Sequence, residues 1–169
     1  DELHRCIEIS DKKNYPGPEY EAEYLLANIC ARGLLLLFLS ENDQSGEVIP
    51  LVTSSYRPLI NTFKFTSSCP DCFYFTGVYN YYREAYPIGY PVYKAVAFMF
   101  PAGDMELGLR QLGECGELSM AMRAEAFVML SWIRMNFELT FLQALPFSRH
   151  LAEQSPSNPL FRIYLIKNL

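Results

Sequence analysis

The chain has no excess of basic residues. Its 14 Lys and Arg stand against 19 Asp and Glu, a net charge of −5. Phosphate binding needs a basic face, so nucleic acid is excluded as a partner. A long hydrophobic run is also missing. The longest uncharged apolar stretch near the N-terminus is GLLLLFL at 33–39, immediately after Arg32. A membrane span needs about 20 such residues, so this stretch predicts a core helix and the chain offers no transmembrane segment. Histidine is scarce: His4 and His150 are the only two, and no nucleophile motif such as GxSxG accompanies them. That leaves Ser/His/Asp or Cys/His catalysis without a framework. Glycines are scattered with no phosphate-cradling loop, and GECGE at 113–117 reads as a helix end. No stretch alternates strictly over β-branched residues between hairpin turns, so strands are not expected.

Five cysteines, Cys6, Cys30, Cys69, Cys72 and Cys115, are odd in number and widely spaced. A chain of 169 residues is too long to be a disulfide-stapled miniprotein, and the redox compartment stays open. Cys69-Pro70-Asp71-Cys72 is the sharpest motif. At a helix N-terminus it is placed to lower a thiolate pKa or to supply half a zinc site. With no second CxxC, no paired His and no βαβ pattern, the plainer reading is a surface loop. No cofactor or metal is implied. The chain begins at Asp1 without Met, from which a removed leader or a trimmed N-terminus is expected.

What is present is helical pattern, in one domain by length and with half of its residues apolar. Residues 72–86, CFYFTGVYNYYREAY, carry two neighbouring aromatic rows. Phe75, Tyr79, Tyr82 and Tyr86 form one; Tyr74, Val78 and Tyr81 form the other. A helix apolar over so much of its girth belongs in the middle of a protein. Gly77 removes a side chain where another helix can approach, and Pro87 is expected to stop the helix.

The other elements follow in order. One or two helical turns are expected at 2–10, then a turn at 11–17. A helix from Pro18 to about Leu39 has Glu19, Glu21 and Glu23 at its positive end. A less regular helix at 47–65 should kink or split at Pro58. The connector 87–102 should hold a short apolar helix at 91–100. Asp104 is a credible N-cap for the next helix, in which Gly108 implies a close helix contact. Further helices are expected at 119–136, from Thr140 (with Gln143 as a capping box) to about 154, and from Asn158-Pro159 to Leu169.

An internal repeat links the later helices. GDMELGLRQL (103–112) superposes on TFLQALPFSR (140–149) with Gly108 on Ala144, 36 residues apart. A tetratricopeptide repeat has a period of about 34 residues. Pro156 falls where the repeat proline belongs, and EAFVMLSWI (125–133), with Ser131 after Leu130, supplies the first helix of that pair. In these features residues 73–169 resemble divergent tetratricopeptide-repeat-like bacterial proteins, many of them exported from Gram-negative cells. The resemblance implies an all-α, right-handed α-α superhelix of about three antiparallel pairs plus a terminal helix. The pairs would lie at 18–65, 71–115 (with the inserted helix 91–100) and 119–154, and the terminal helix at 158–169, in one domain. It also implies a non-enzymatic scaffold binding a protein or peptide on its concave face, and favours an exported (periplasmic or membrane-anchored) location over the cytoplasmic alternative. The first helix of each stacked pair lines that face, so Tyr79, Asn80, Tyr82, Arg83 and Arg123 are the candidate groove residues. Arg83 and Glu84 fit an internal ion pair equally well, and aromatics at helical spacing are more often core. The long connector, Pro146 within a second helix and the absence of a Lys/Asn clamp argue against capture of a peptide carboxylate. The alternative is a small-ligand pocket over Tyr79 and Tyr82, closed by the connector from Tyr90 to Phe100. Exposed solenoid ends would also suit a homo-oligomer.

Overall fold

The computed structural model describes residues 2–12, 15–89, 91, 94–97 and 100–169, and no strand occurs among them. The protein is all-α. It divides into two compact units, Asp1–Cys72 and Phe73–Leu169.

The first unit is built on α2 (Glu21–Glu41), entered through a 3₁₀ turn at Pro18–Tyr20 with proline at its start. α1 (Glu2–Asp11) and α3 (Ser45–Thr62) both pack on it. Three bonds give the direction of α1. Cys6 Sγ meets the Ala27 carbonyl, Asn28 Nδ2 the Ile7 carbonyl and Arg32 Nη2 the Asp11 carboxylate, each across 21 residues. A constant offset means that α1 and α2 run parallel. α3 returns antiparallel after a short link in which Asp43 adopts φ 56°, a left-handed conformation that Asp tolerates. α3 continues through both Pro50 and Pro58 rather than splitting, and a 3₁₀ turn at Phe63–Phe65 follows. One stretch, Pro18–Glu41, is long and apolar enough to cross a membrane by length and composition. In the fold α2 buries Ile29, Ala31, Leu35 and Leu39 together with Asn28 and Arg32, and exposes Leu34, Leu37 and Phe38.

The second unit contains α4 (Cys72–Gly89), the single turn α5 (Lys94–Ala97), α6 (Met105–Leu118), α7 (Arg123–Asn136), α8 (Phe141–Gln154) and α9 (Pro159–Lys167). α4 is its centre, as the aromatic rows indicate: Tyr81 is wholly buried with Ala85, Leu112, Leu130 and Ile133. Pro87 does not stop α4, which runs on to Gly89. Proline gives up one N–H, but its fixed φ is already helical. Of the helix expected at 91–100, Lys94–Ala97 is α-helical; residues 92, 93, 98 and 99 lie outside the described residues.

Two glycines set the α4–α6 crossing. A Cβ on Gly108 would lie 2.7 Å from the Tyr81 nitrogen and 2.8 Å from the Gly77 carbonyl, and one on Gly77 would meet the Gly108 carbonyl at 2.9 Å. α6 continues through Gly113 and Gly116 to Leu118. A Cβ on Gly116 would stand 2.5 Å from the Phe127 ring, so the close α6–α7 contact requires glycine there. The helix expected from 119 begins at Arg123, since the Ser119 hydroxyl accepts from the Met122 N–H at 2.8 Å and holds a bend between them.

Asp104 caps α6 by accepting from the Leu107 N–H, and Asn158 caps α9 by accepting from the Leu160 N–H. The capping box expected at Thr140 is not formed. Leu139 adopts φ 53°, and the turn directs both the N–H and the hydroxyl of Thr140 to the Arg134 carbonyl. From α6 onward, helices adjacent in sequence pack pairwise across short links, which makes them antiparallel. Ala126, Ser131, Ala144 and Ser148 are fully buried in these contacts, and Asn168 Nδ2 bonds both serines.

Candidate functional site

α4 and α7 leave an open cleft of about 770 Å³ where their ends meet in the second unit. Tyr82 and Tyr86, one turn apart on α4, form one wall; Trp132 and Asn136, one turn apart on α7, form another, closed by Phe137 and Glu138. The rings interlock: Phe137 meets Tyr82 at 5.1 Å and Tyr81 at 6.1 Å edge to face, and Tyr86 at 6.0 Å with the rings tilted. Trp132 and Tyr86 keep about two-fifths of their surface in water (41% each), and Ile88 at the rim is 74% exposed. Large apolar groups left this open in a concave site are the usual material of a binding surface.

The polar groups of the cleft are few and engaged. The Tyr81 hydroxyl donates to Glu138 Oε1 at 3.4 Å, and the Arg134 guanidinium pairs with the other oxygen of the same carboxylate. Burial pushes the Tyr81 hydroxyl well above the ordinary tyrosine range, with the Glu138 carboxylate adding to the effect. Burial raises Tyr82 in the same way, helped by Tyr81, Tyr86 and Tyr74. Both phenols are therefore neutral donors at physiological pH. Among the described residues the lining holds no histidine, cysteine, serine or lysine. The described lining offers ring faces and hydrogen bonds, and its one carboxylate, Glu138, is paired.

The five candidate groove residues are dispersed. Tyr82 lines the cleft. Two more α4 residues serve the end of the connector: the Tyr79 hydroxyl donates to the Pro101 carbonyl at 2.7 Å, and Arg83 donates to the Phe100 carbonyl through Nε and Nη2. Arg83 also pairs with Glu84, whose Oε1 accepts from the Gly103 N–H. Asn80 is buried and donates to Gln111 Oε1 at 2.9 Å. Arg123 is exposed at a separate depression with Phe127 and His150, donating to the Glu117 carbonyl. Tyr79 thus holds the end of the connector; Tyr90, named for the closing segment, lies outside the described residues.

Residues 132, 136 and 137 were missed by sequence reasoning, although Trp132 and Asn136 share a helix face at i, i+4. Cys72 is fully buried at the first turn of α4 and Cys69 half-buried before it, with no disulfide joining them. Among the described residues no three metal-ligating side chains come together. No protein-family model, no curated protein and no solved structure matches this chain.

Proposed function

We propose that the chain is a non-catalytic binding module that takes an extended segment of a partner protein into the aromatic cleft, centred on a basic side chain. One observation carries the reading: five rings, Tyr81, Tyr82, Tyr86, Trp132 and Phe137, line an open cleft in which, among the described residues, Glu138 is the one charged group. Ring faces attract a guanidinium or ammonium within about 6 Å. The overall charge of −5 favours the same partner. The reading takes α4 with α6 and α7 with α8 as tetratricopeptide-like pairs of a right-handed superhelix. The buried small residues at equivalent positions, Gly108 and Ala144, support that.

A peptide array of random 12-residue sequences, probed with the labelled full chain, tests the proposal. Bound peptides should be enriched in Arg or Lys beside apolar residues, and Tyr86→Ala/Trp132→Ala protein should lose them. Retention of the same peptides by that variant would refute the cleft as the site. A small cationic ligand in the same cleft is the second reading. It is favoured by a volume within the range of about 300–1,000 Å³ found for small-molecule sites.

A further inference from the structure

The first unit has a pocket of a different kind, about 340 Å³, between the polar stripes of α2 and α3. Arg32 and Asn28 lie at its buried side, 5% and 3% exposed; Glu21, Asn61 and Tyr15 are half-buried, and Arg57 is exposed. Burying a guanidinium is costly, and its ion pair with Asp11 at 2.7 Å does not by itself recover the loss. Apolar residues in place of the whole Arg32, Asn28 and Asp11 set would hold α2 to its neighbours as well. Stability therefore does not account for Arg32 and Asn28 on a helix otherwise packed by Ile29, Leu35 and Leu39.

The guanidinium is fixed on three sides. Nε donates to Asn28 Oδ1, Nη1 to the Ser54 hydroxyl and Nη2 to Asp11, which leaves two of its five N–H groups for another acceptor. A planar fork held in this way is preorganised for a carboxylate. Among the described residues neither Arg57 nor Glu21 is in an ion pair. Pro58, also in the lining, leaves the Ser54 carbonyl without its helical N–H and adds an acceptor beside the site. Among the described residues the lining charges balance: Arg32 and Arg57 against Asp11 and Glu21. A lone anion or cation would upset that balance, whereas a zwitterion preserves it.

We propose that this pocket binds a small zwitterion of the amino-acid class, with its carboxylate on the Arg32 and Arg57 guanidinium groups and its ammonium on Glu21. Calorimetric titration of the full chain with each of the twenty standard amino acids, acetate, methylammonium and inorganic phosphate tests this. At least one amino acid should bind, and acetate and methylammonium at equal ionic strength should not. Arg57→Gln and Glu21→Gln, neither of them buried, should each weaken that binding about tenfold or more while the thermal midpoint without ligand stays put. Absence of binding by every amino acid overturns the proposal, as does phosphate binding more tightly than any of them. Unchanged affinity in both variants overturns it too. None of these outcomes bears on the aromatic cleft, which shares no residue with the pocket.

Discussion

The two units of this protein have concave sites made from opposite materials. In the first, charged and amide groups are buried and held by bonds to one another; in the second, rings extend from the core to the surface. Rings need no partners to be buried, so the cleft is continuous with the cluster around Tyr81 and Leu112. A guanidinium is tolerated inside only when its N–H groups are met, and Arg32 draws acceptors from all three helices of its unit, Asp11, Asn28 and Ser54. The second unit should therefore be sensitive to volume and the first to charge.

The largest expected effect tests the steric half. Gly108→Leu places atoms against the backbone of α4, which has no slack, and should cost more than about 3 kcal/mol in urea denaturation. Gly113→Ala is the control, since no atom lies within 4 Å of its Cβ position. It should gain up to about 1 kcal/mol from helix propensity. Equal responses at the two glycines would break the comparison.

The electrostatic half is tested by Arg32→Met. A fully buried pair loses about 3–5 kcal/mol when one partner goes. The Asp11 side chain is 49% exposed and regains water, which brings the expected loss to about 2 kcal/mol. Adding Asp11→Ala and Asn28→Leu should restore part of it, because an apolar replacement leaves no polar group stranded.

The rings themselves give a pH effect. Tyr81 and Tyr82 are held protonated in the fold above their ordinary value of 10. Above about pH 10 the unfolded chain therefore binds fewer protons than the folded one, and stability falls as pH rises. The slope is at most about 1.4 kcal/mol per pH unit for each group. The same contribution is fully present below pH 10. Tyr82→Phe should flatten the decline measured between pH 9 and 11. Smallest is Tyr86→Ala, within about 1 kcal/mol of wild type because the ring is already part-exposed, yet it should abolish peptide capture.

Much of this fold is visible in the residues. The aromatic rows of α4, the Gly77 and Gly108 approach, the Asp104 cap and the Asn158-Pro159 start are local signals, and the structure places each as expected. Pro87 and Thr140 misled for one physical reason. A proline removes one bond without forbidding the next turn, and a Thr caps only if the preceding chain presents it, which Leu139 prevents. The sites were less legible. A polar residue on an aromatic helix has the same pattern whether it meets solvent, a neighbouring helix or a returning connector. Asn80 meets Gln111, and Tyr79 and Arg83 meet Phe100 and Pro101. Arg32 was overlooked beside GLLLLFL, although Asn28 and Arg32 at i, i+4 in so apolar a helix mark a buried polar face.

The chain contains a single tryptophan, and it lies in the cleft. Its emission during titration with an arginine-bearing array peptide, and with the same peptide carrying Glu for Arg, is the most direct test of the cleft as binding surface. The account predicts a saturable shift of Trp132 emission with the arginine peptide, absent with the glutamate peptide and abolished by Tyr86→Ala. Tight binding that leaves Trp132 emission unchanged would contradict it.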